Sequence, residues 1–150
     1  MALAGSPTGP RPQWCSPVTE REESAFGDPL SVPFWQGATQ RELMVQRCRS
    51  CGAHQLFARP FCLACDAVEL EWVRSSGFGT VYSMTTVRRQ ASPDFPAPYV
   101  NALVELDEGP RLLTTIVGGP CAIGDRVQVT WKDRAAAPPL PLFAPVRARA

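Results

Sequence analysis

The chain has 150 residues, 45% of them apolar, with 16 prolines, 11 glycines and a formal net charge of +1. That supports one modest core cut by many turns, and the near-neutral balance excludes a strong field for nucleic acid or anionic lipid. No run of about 18 apolar residues and no apolar stretch near the start offers a membrane span or a secretory signal, so a soluble, cytoplasmic protein is expected.

Residues 1–32 are rich in proline and scattered charge without apolar periodicity. They are expected to form a disordered or extended leader, tied down at most by Trp14 or Phe26. Pro33 suits a first helical position, and Phe34, Trp35 and Ala38 fall on nearby faces, which predicts a short amphipathic helix. Leu43, Val45 and Arg47 then alternate with Met44, Gln46 and Cys48, a strand that feeds the first of two cysteine pairs.

Those pairs are Cys48-x2-Cys51 and Cys62-x2-Cys65, ten residues apart. Without an export signal, paired CxxC motifs read as a tetrahedral four-thiolate zinc site rather than as disulfides or a redox pair. Each knuckle turns two sulfurs toward one ion at about 2.3 Å, and Gly52 suits the tight reversal after the first knuckle. One structural zinc per chain, with no open coordination position, is the expectation. A knuckle–turn–knuckle ribbon cannot bury a core of its own, so the metal supplies much of its folding free energy. Cys15 and Cys121 read as a tail thiol and a half-buried thiol.

From residue 68 onward the pattern is successive strands. Val68–Arg74 alternates and ends at Ser75-Ser76-Gly77; Gly79–Val87 is rich in β-branched and aromatic residues. Pro93, Pro96 and Pro98 make an extended loop. Tyr99–Leu106 and Leu112–Val117 flank the hairpin turn Asp107-Glu108-Gly109-Pro110-Arg111, and Arg126–Lys132 alternates again. Five short strands without a long helix predict a mainly β chain closed as a small OB-type barrel. The segment Pro138–Pro145 is too rich in proline for helix and is expected to lie extended against the barrel, held by Leu142 and Phe143. The expected organisation is a leader (1–32), a helix with a zinc ribbon (33–66), and an OB barrel with its C-terminal extension (67–146).

Catalytic constellations are missing from this reading. The single histidine, His54, lies between the knuckles, where a packing or surface role is commoner than a base. No Gly-x-Ser-x-Gly or glycine-rich phosphate loop occurs, and neither lone cysteine has an activating neighbour in sequence. Glu105, Asp107 and Glu108 read as a solvated strand end and hairpin tip. The chain alone is expected to be inert. Phe34, Trp35, Leu43, Phe57 and Phe61 exceed what a small ribbon can bury, and so are expected at a partner interface, unless the helix folds back on the barrel.

Several segments, in order, carry a resemblance. They are Phe34-Trp35, Gln46-Arg47-Cys48-Arg49-Ser50-Cys51-Gly52, Cys62-x2-Cys65, Gly77-Phe78-Gly79-Thr80-Val81-Tyr82-Ser83, Ala97-Pro98-Tyr99-Val100, Val104–Arg111 and Ile123-Gly124-Asp125-Arg126-Val127. From about Pro33 to Pro145 the chain resembles the zinc-ribbon/OB-fold family of acyl-CoA-associated proteins, the domain of unknown function thirty-five type. It departs in having Phe57-Ala58-Arg59 where the family often has Pro-Pro-Arg.

The resemblance implies a non-catalytic subunit assembled with a thiolase-like enzyme, in a heteromer for which two plus two is one arrangement. The ribbon and helix would dock on the partner, and the barrel would help hold acyl-CoA. Reactions served by such complexes include retro-aldol cleavage in steroid side-chain or lipid catabolism, and acyl transfer in polyketide or isoprenoid synthesis. Substrate-arm contacts implied are Phe78, flanked by glycines that permit close approach, with Tyr82 and Tyr99 on adjoining strands. Arg88 and Arg89, or Arg47, Arg49 and Arg59, would face the phosphates of CoA. The alternative is a nucleic-acid-binding ribbon and barrel. Against it, residues 66–133 carry nine acidic and six basic side chains, which opposes phosphate neutralisation.

Overall fold

Helix α1 (Val32–Thr39) is entered through a 3-10 turn, Pro29–Ser31, whose first N–H groups are served by the Asp28 side chain at Leu30. The helix buries Phe34, Gly37 and Ala38, and ends where Gln40 and Arg41 donate back to Gly37 and Ala38. The computed structural model describes residues 28–90 and 92–146. Most of the expected leader, with Trp14, Cys15 and Phe26, lies outside the described residues. Residues 29–32, assigned to that leader from sequence, are helical.

Eight strands follow among the described residues. A three-stranded antiparallel sheet has the order β2-β1-β3, from β1 (Met44–Cys48), β2 (His54–Gln55) and β3 (Leu70–Arg74). A closed barrel has the order β4-β5-β6-β8-β7. Its strands are β4 (Phe78–Val87), β5 (Tyr99–Leu106), β6 (Arg111–Ile116), β7 (Arg126–Arg134) and β8 (Ala137–Pro145). Mostly β structure with one short helix and a five-stranded closed barrel is the OB-type architecture.

Two expectations are corrected in how that barrel closes. The strand over Val68–Arg74 does not belong to it: β3 pairs with β1 beside the first knuckle, Cys48 opposite Leu70. The fifth barrel strand is the proline-rich segment 137–145, expected as an extended strap. Phe143 O accepts from Val117 N on the β6 side, while Val146 N donates to Arg126 O on the β7 side. By the strand's alternation, Pro141 and Pro145 face β6, where Ile116 opposite Phe143 is the pairing recorded. Their missing N–H groups therefore cost the β7–β8 ladder, which is regular from Val127 to Lys132, nothing.

The barrel interior takes Val81, Ala102, Val104, Leu112, Val127 and Phe143. That core runs without a break into Phe34, Leu43 and Val45, so helix, ribbon sheet and barrel share one apolar interior. Phe34 is 6% and Leu43 2% exposed. Their expected place at a partner interface is thus corrected: the helix folds back on the barrel and both side chains are internal. Among the described residues, no helix is long and apolar enough to cross a membrane.

A carboxylate fixes the link between ribbon sheet and barrel. Glu108, at the β5–β6 hairpin, accepts from Ser75 Oγ at 2.9 Å and from Ser76 N–H at 2.7 Å. Ser75 N–H in turn donates to Leu43 O. Burial opposes ionisation of Glu108, but these hydrogen bonds outweigh it and hold its carboxyl below the usual range. Because the folded carboxyl titrates below the unfolded one, its contribution is complete above about pH 5 and is lost as pH falls through the folded value. The group is half-buried and part of its interaction is screened by solvent, so Glu108→Gln is expected to cost about 1 kcal/mol at pH 7. Chemical denaturation at pH 7 and pH 3.5 checks this, since the difference between variant and wild type should shrink as the pH falls.

Candidate functional site

Two knuckles of the same construction bring the four cysteines together. Cys48 O accepts from Gly52 N and Cys62 O from Asp66 N; Cys48 N donates to Ala53 O and Cys62 N to Ala67 O. The equivalent residues Gly52 and Asp66 both take a left-handed backbone, at φ 76° and 58°, which glycine and aspartate tolerate better than most residues. The sulfurs of Cys48 and Cys65 are 3.7 Å apart, those of Cys51 and Cys62 are 3.6 Å apart, and all four lie within 4.8 Å of one another. A tetrahedral site with arms of ~2.3 Å puts its sulfurs about 3.8 Å apart. The donor set and spacing therefore make a metal site, with Cys48 and Cys62 buried and Cys51 and Cys65 at the surface.

Backbone N–H groups of Cys51 and Ser50 hold the Cys48 thiol below its ordinary range. Cys65 is pushed up: the Ala67 N–H favours its thiolate, but the sulfurs of Cys51, Cys48 and Cys62 and desolvation together prevail. Four sulfurs this close cannot all stay anionic without a cation among them.

Sequence reasoning missed two side chains that hold the ribbon's long loop. Gln55 Nε2 donates to Gln46 Oε1 and to Phe61 O, and Gln55 Oε1 accepts from Leu63 N. Gln46 Oε1 also accepts from Arg59 N, and Gln46 Nε2 donates to Arg59 O. Both amides are buried and satisfied, which locks residues 59–63 onto the sheet. No local signal marks them, because a glutamine in a half-buried strand reads equally well as solvated.

The six expected substrate-arm residues do not converge. Tyr99 opens β5 opposite Val87, and Arg88 and Arg89 leave β4 at that same end. There a cavity of about 430 Å3 is lined by Phe95, Tyr99, Thr115 and Lys132 among others. The Phe95 and Tyr99 rings are 5.8 Å apart, and the Lys132 ammonium lies 4.3 Å from the Phe95 ring centre. Phe78 begins β4 at the opposite end. Its flanking glycines serve the barrel itself: a Cβ on Gly77 would meet Val129 at 2.7 Å, and one on Gly79 would meet the Glu105 carbonyl oxygen at 2.5 Å. Close approach there is by neighbouring strands, which removes the reason for singling out Phe78. Tyr82 stands exposed with the Arg111 guanidinium 3.5 Å over its ring, and Arg59 is exposed on the ribbon loop. His54 is half-buried on β2.

The acidic residues near the hairpin are committed to structure. Glu105 pairs with Arg111, Asp107 is held bidentately by Arg126 and so stays below the usual carboxylate range, and Glu108 caps the linker. Cys121 is pushed up by burial and by the Asp125 charge, the opposite of an activated thiol.

Comparison with known proteins fits both modules. The family model described as "ChsH2, rubredoxin-like zinc ribbon domain" matches residues 35–71, and "ChsH2, C-terminal OB-fold domain" matches residues 72–132. A solved chain described as "Ltp2-ChsH2(DUF35) aldolase" is 35% identical with a TM-score of 0.72, over 79% of this chain and 95% of that one. The chain belongs to the DUF35 family. Longer relatives of comparable identity exist. The "probable enoyl-CoA hydratase alpha subunit" of Thermomonospora curvata is 38% identical over 116 residues, 75% of this chain and 36% of that protein. The "3-oxo-4,17-pregnadiene-20-carboxyl-CoA hydratase alpha subunit" of Mycobacterium tuberculosis is 36% identical over 103 residues, 67% of this chain and 33% of that protein. This DUF35 chain spans about a third of the length of these two relatives.

Proposed function

We propose that this chain is the accessory subunit of a thiolase-like enzyme, and that it helps to hold an acyl-CoA substrate while the partner makes and breaks bonds. Retro-aldol cleavage in steroid side-chain or lipid breakdown is the reaction this reading favours. The observation that carries it is the likeness to the DUF35 chain of a solved aldolase over 95% of that chain's length. The committed carboxylates, the raised Cys121 thiol and the single half-buried histidine agree with a subunit that supplies no acid, base or nucleophile.

The cysteine site fits zinc in a structural role. Four thiolates leave no position for a substrate oxygen, so they would hold the ribbon rather than polarise a carbonyl. Of the proposed ligand contacts, Tyr99 lines a cavity of useful size, and Arg88 and Arg89 leave β4 at that same end of the barrel. The aromatic pair Phe95 and Tyr99 offers a stacking surface to adenine, and the two arginines, with no ion pair among the described residues, offer charge to the phosphates. Trp35, Phe57 and Phe61 stay as proposed partner contacts. A second reading, a hydratase partner, is favoured by the names of the two longer relatives.

Affinity co-purification with mass identification distinguishes the partners. In the complex, Arg88→Ala with Arg89→Ala is expected to raise the KM for acyl-CoA roughly tenfold, as loss of a charge-assisted phosphate contact should. The KM for the matching pantetheine thioester, which lacks the nucleotide, should not change. Equal effects on both thioesters would remove the arginines from the phosphate site.

A further inference from the structure

A second cavity, of about 170 Å3, opens where helix, ribbon loop and barrel meet. Trp35, Leu56, Phe57, Trp72, Leu113 and Leu140 form most of its wall, and no titratable side chain lines it. The hydroxyl in its lining, that of Ser31, donates to Asp28 O at 2.7 Å. Such a surface offers dispersion and water exclusion but nothing to orient a phosphate, sugar or thioester.

The apolar surface continues past the rim. Phe57 is 59% and Leu113 64% exposed. Leu113 stands opposite Leu103, and since their neighbours Ala102, Val104, Leu112 and Thr114 point inward, both leucines face out from the barrel wall. Two arginines adjoin the patch in sequence: Arg59, and Arg111, whose charge is already paired with Glu105. Arg59 follows the lining residues Phe57 and Ala58, is exposed, and enters no ion pair among the described residues. Arg111 precedes Leu112 and Leu113 and lies over Tyr82.

We infer that this groove and the wall beside it receive a loop or helix of the partner subunit that presents one bulky apolar side chain next to a carboxylate. This rests on the accessory-subunit reading above and deepens it by naming the contact. The volume suits a side chain: a cavity of ~150 Å3 holds one benzene ring, whereas an extended acyl chain or fused-ring skeleton would run past it onto the open wall. The apolar wall extends well beyond the cavity, as a protein contact requires and a single ligand does not. The unpaired guanidinium of Arg59 selects for an acid at the edge, which would act mainly on association rate and specificity.

The test is titration calorimetry of the full chain with its purified thiolase-like subunit. Leu113→Asp is expected to weaken Kd at least tenfold. Arg59→Glu should weaken it several-fold and reduce its salt dependence. Both variants should keep the wild-type melting temperature and metal content; if Leu113→Asp does not, Phe57→Ser replaces it. Ile123→Asp, at an exposed apolar position outside the groove, should bind as wild type. Fluorescence of Trp35 and Trp72 should shift to the blue on adding the subunit and not on adding dodecanoyl-CoA. Wild-type affinity in the groove variants would overturn this inference alone, as would an equal loss in Ile123→Asp or a saturable shift with dodecanoyl-CoA. Failure of the wild-type chain to bind any thiolase-like subunit would overturn the functional reading and this inference together.

Discussion

Cys51→Ser is expected to abolish metal binding and to unfold the ribbon, with a loss of stability larger than any single core truncation. Serine is a poor replacement for thiolate, and the three remaining sulfurs include Cys48 and Cys62, both buried. Structural zinc contributes roughly 10–16 kcal/mol in small finger peptides, and most of that is folding free energy. The effect should not stop at the ribbon. Val45 and Leu43, at the start of the strand that leads to Cys48, belong to the same core as Val104 and Phe143, so the barrel should survive only in part and melt at a lower temperature. Elemental analysis should find about one zinc per wild-type chain, prepared without chelator, and almost none in the variant. A variant that keeps both its metal and its melting temperature would contradict the site.

Phe143→Ala should cost about 3–5 kcal/mol, the range for a fully buried phenylalanine whose surroundings cannot collapse. Phe143 is entirely buried, lies opposite Val129 on β7 and Ile116 on β6, and closes the barrel between them. Had segment 137–145 been a strap on the outside, truncating the ring would cost far less. Urea unfolding measures the difference, and a change below about 1 kcal/mol would mean that β8 is peripheral.

That strand marks where the sequence stopped being legible. The knuckles could be read because thiolate spacing and the backbone turns are local, and β5 and the Asp107–Arg111 hairpin because alternation and turn chemistry are local too. β8 carries prolines at 138, 139, 141 and 145, and local rules count them against a strand. Only their phase relative to β7 makes Pro141 and Pro145 tolerable, and phase is a property of the pairing. The same limit displaced β3: its alternation shows a strand but not whose edge it joins, and Ser75-Ser76-Gly77 is the link between sheet and barrel rather than a turn within the barrel.

The site was legible to the same depth. Four cysteines could be found from spacing, while Gln46 and Gln55, which hold the loop between the knuckles, could not, because nothing local distinguishes a buried glutamine from a solvated one. Phe34 and Leu43 looked available for docking, yet they are core, since the helix lies on β8 and β1. Gly77 and Gly79 suggested room for a ligand, and the room is taken by Val129 and by the β5 backbone.

The central claim is that the bond-making groups belong to the partner and that this chain positions the thioester. Positioning alone can remove several kcal/mol of barrier. The most direct measurement is turnover of a β-hydroxyacyl-CoA by the purified chain, by the purified thiolase-like partner, and by the two together. The account predicts no activity from this chain, little from the partner, and at least about a hundredfold more from the mixture, or ~2.7 kcal/mol. Full activity from a stable partner alone, or any turnover by this chain alone, would contradict it.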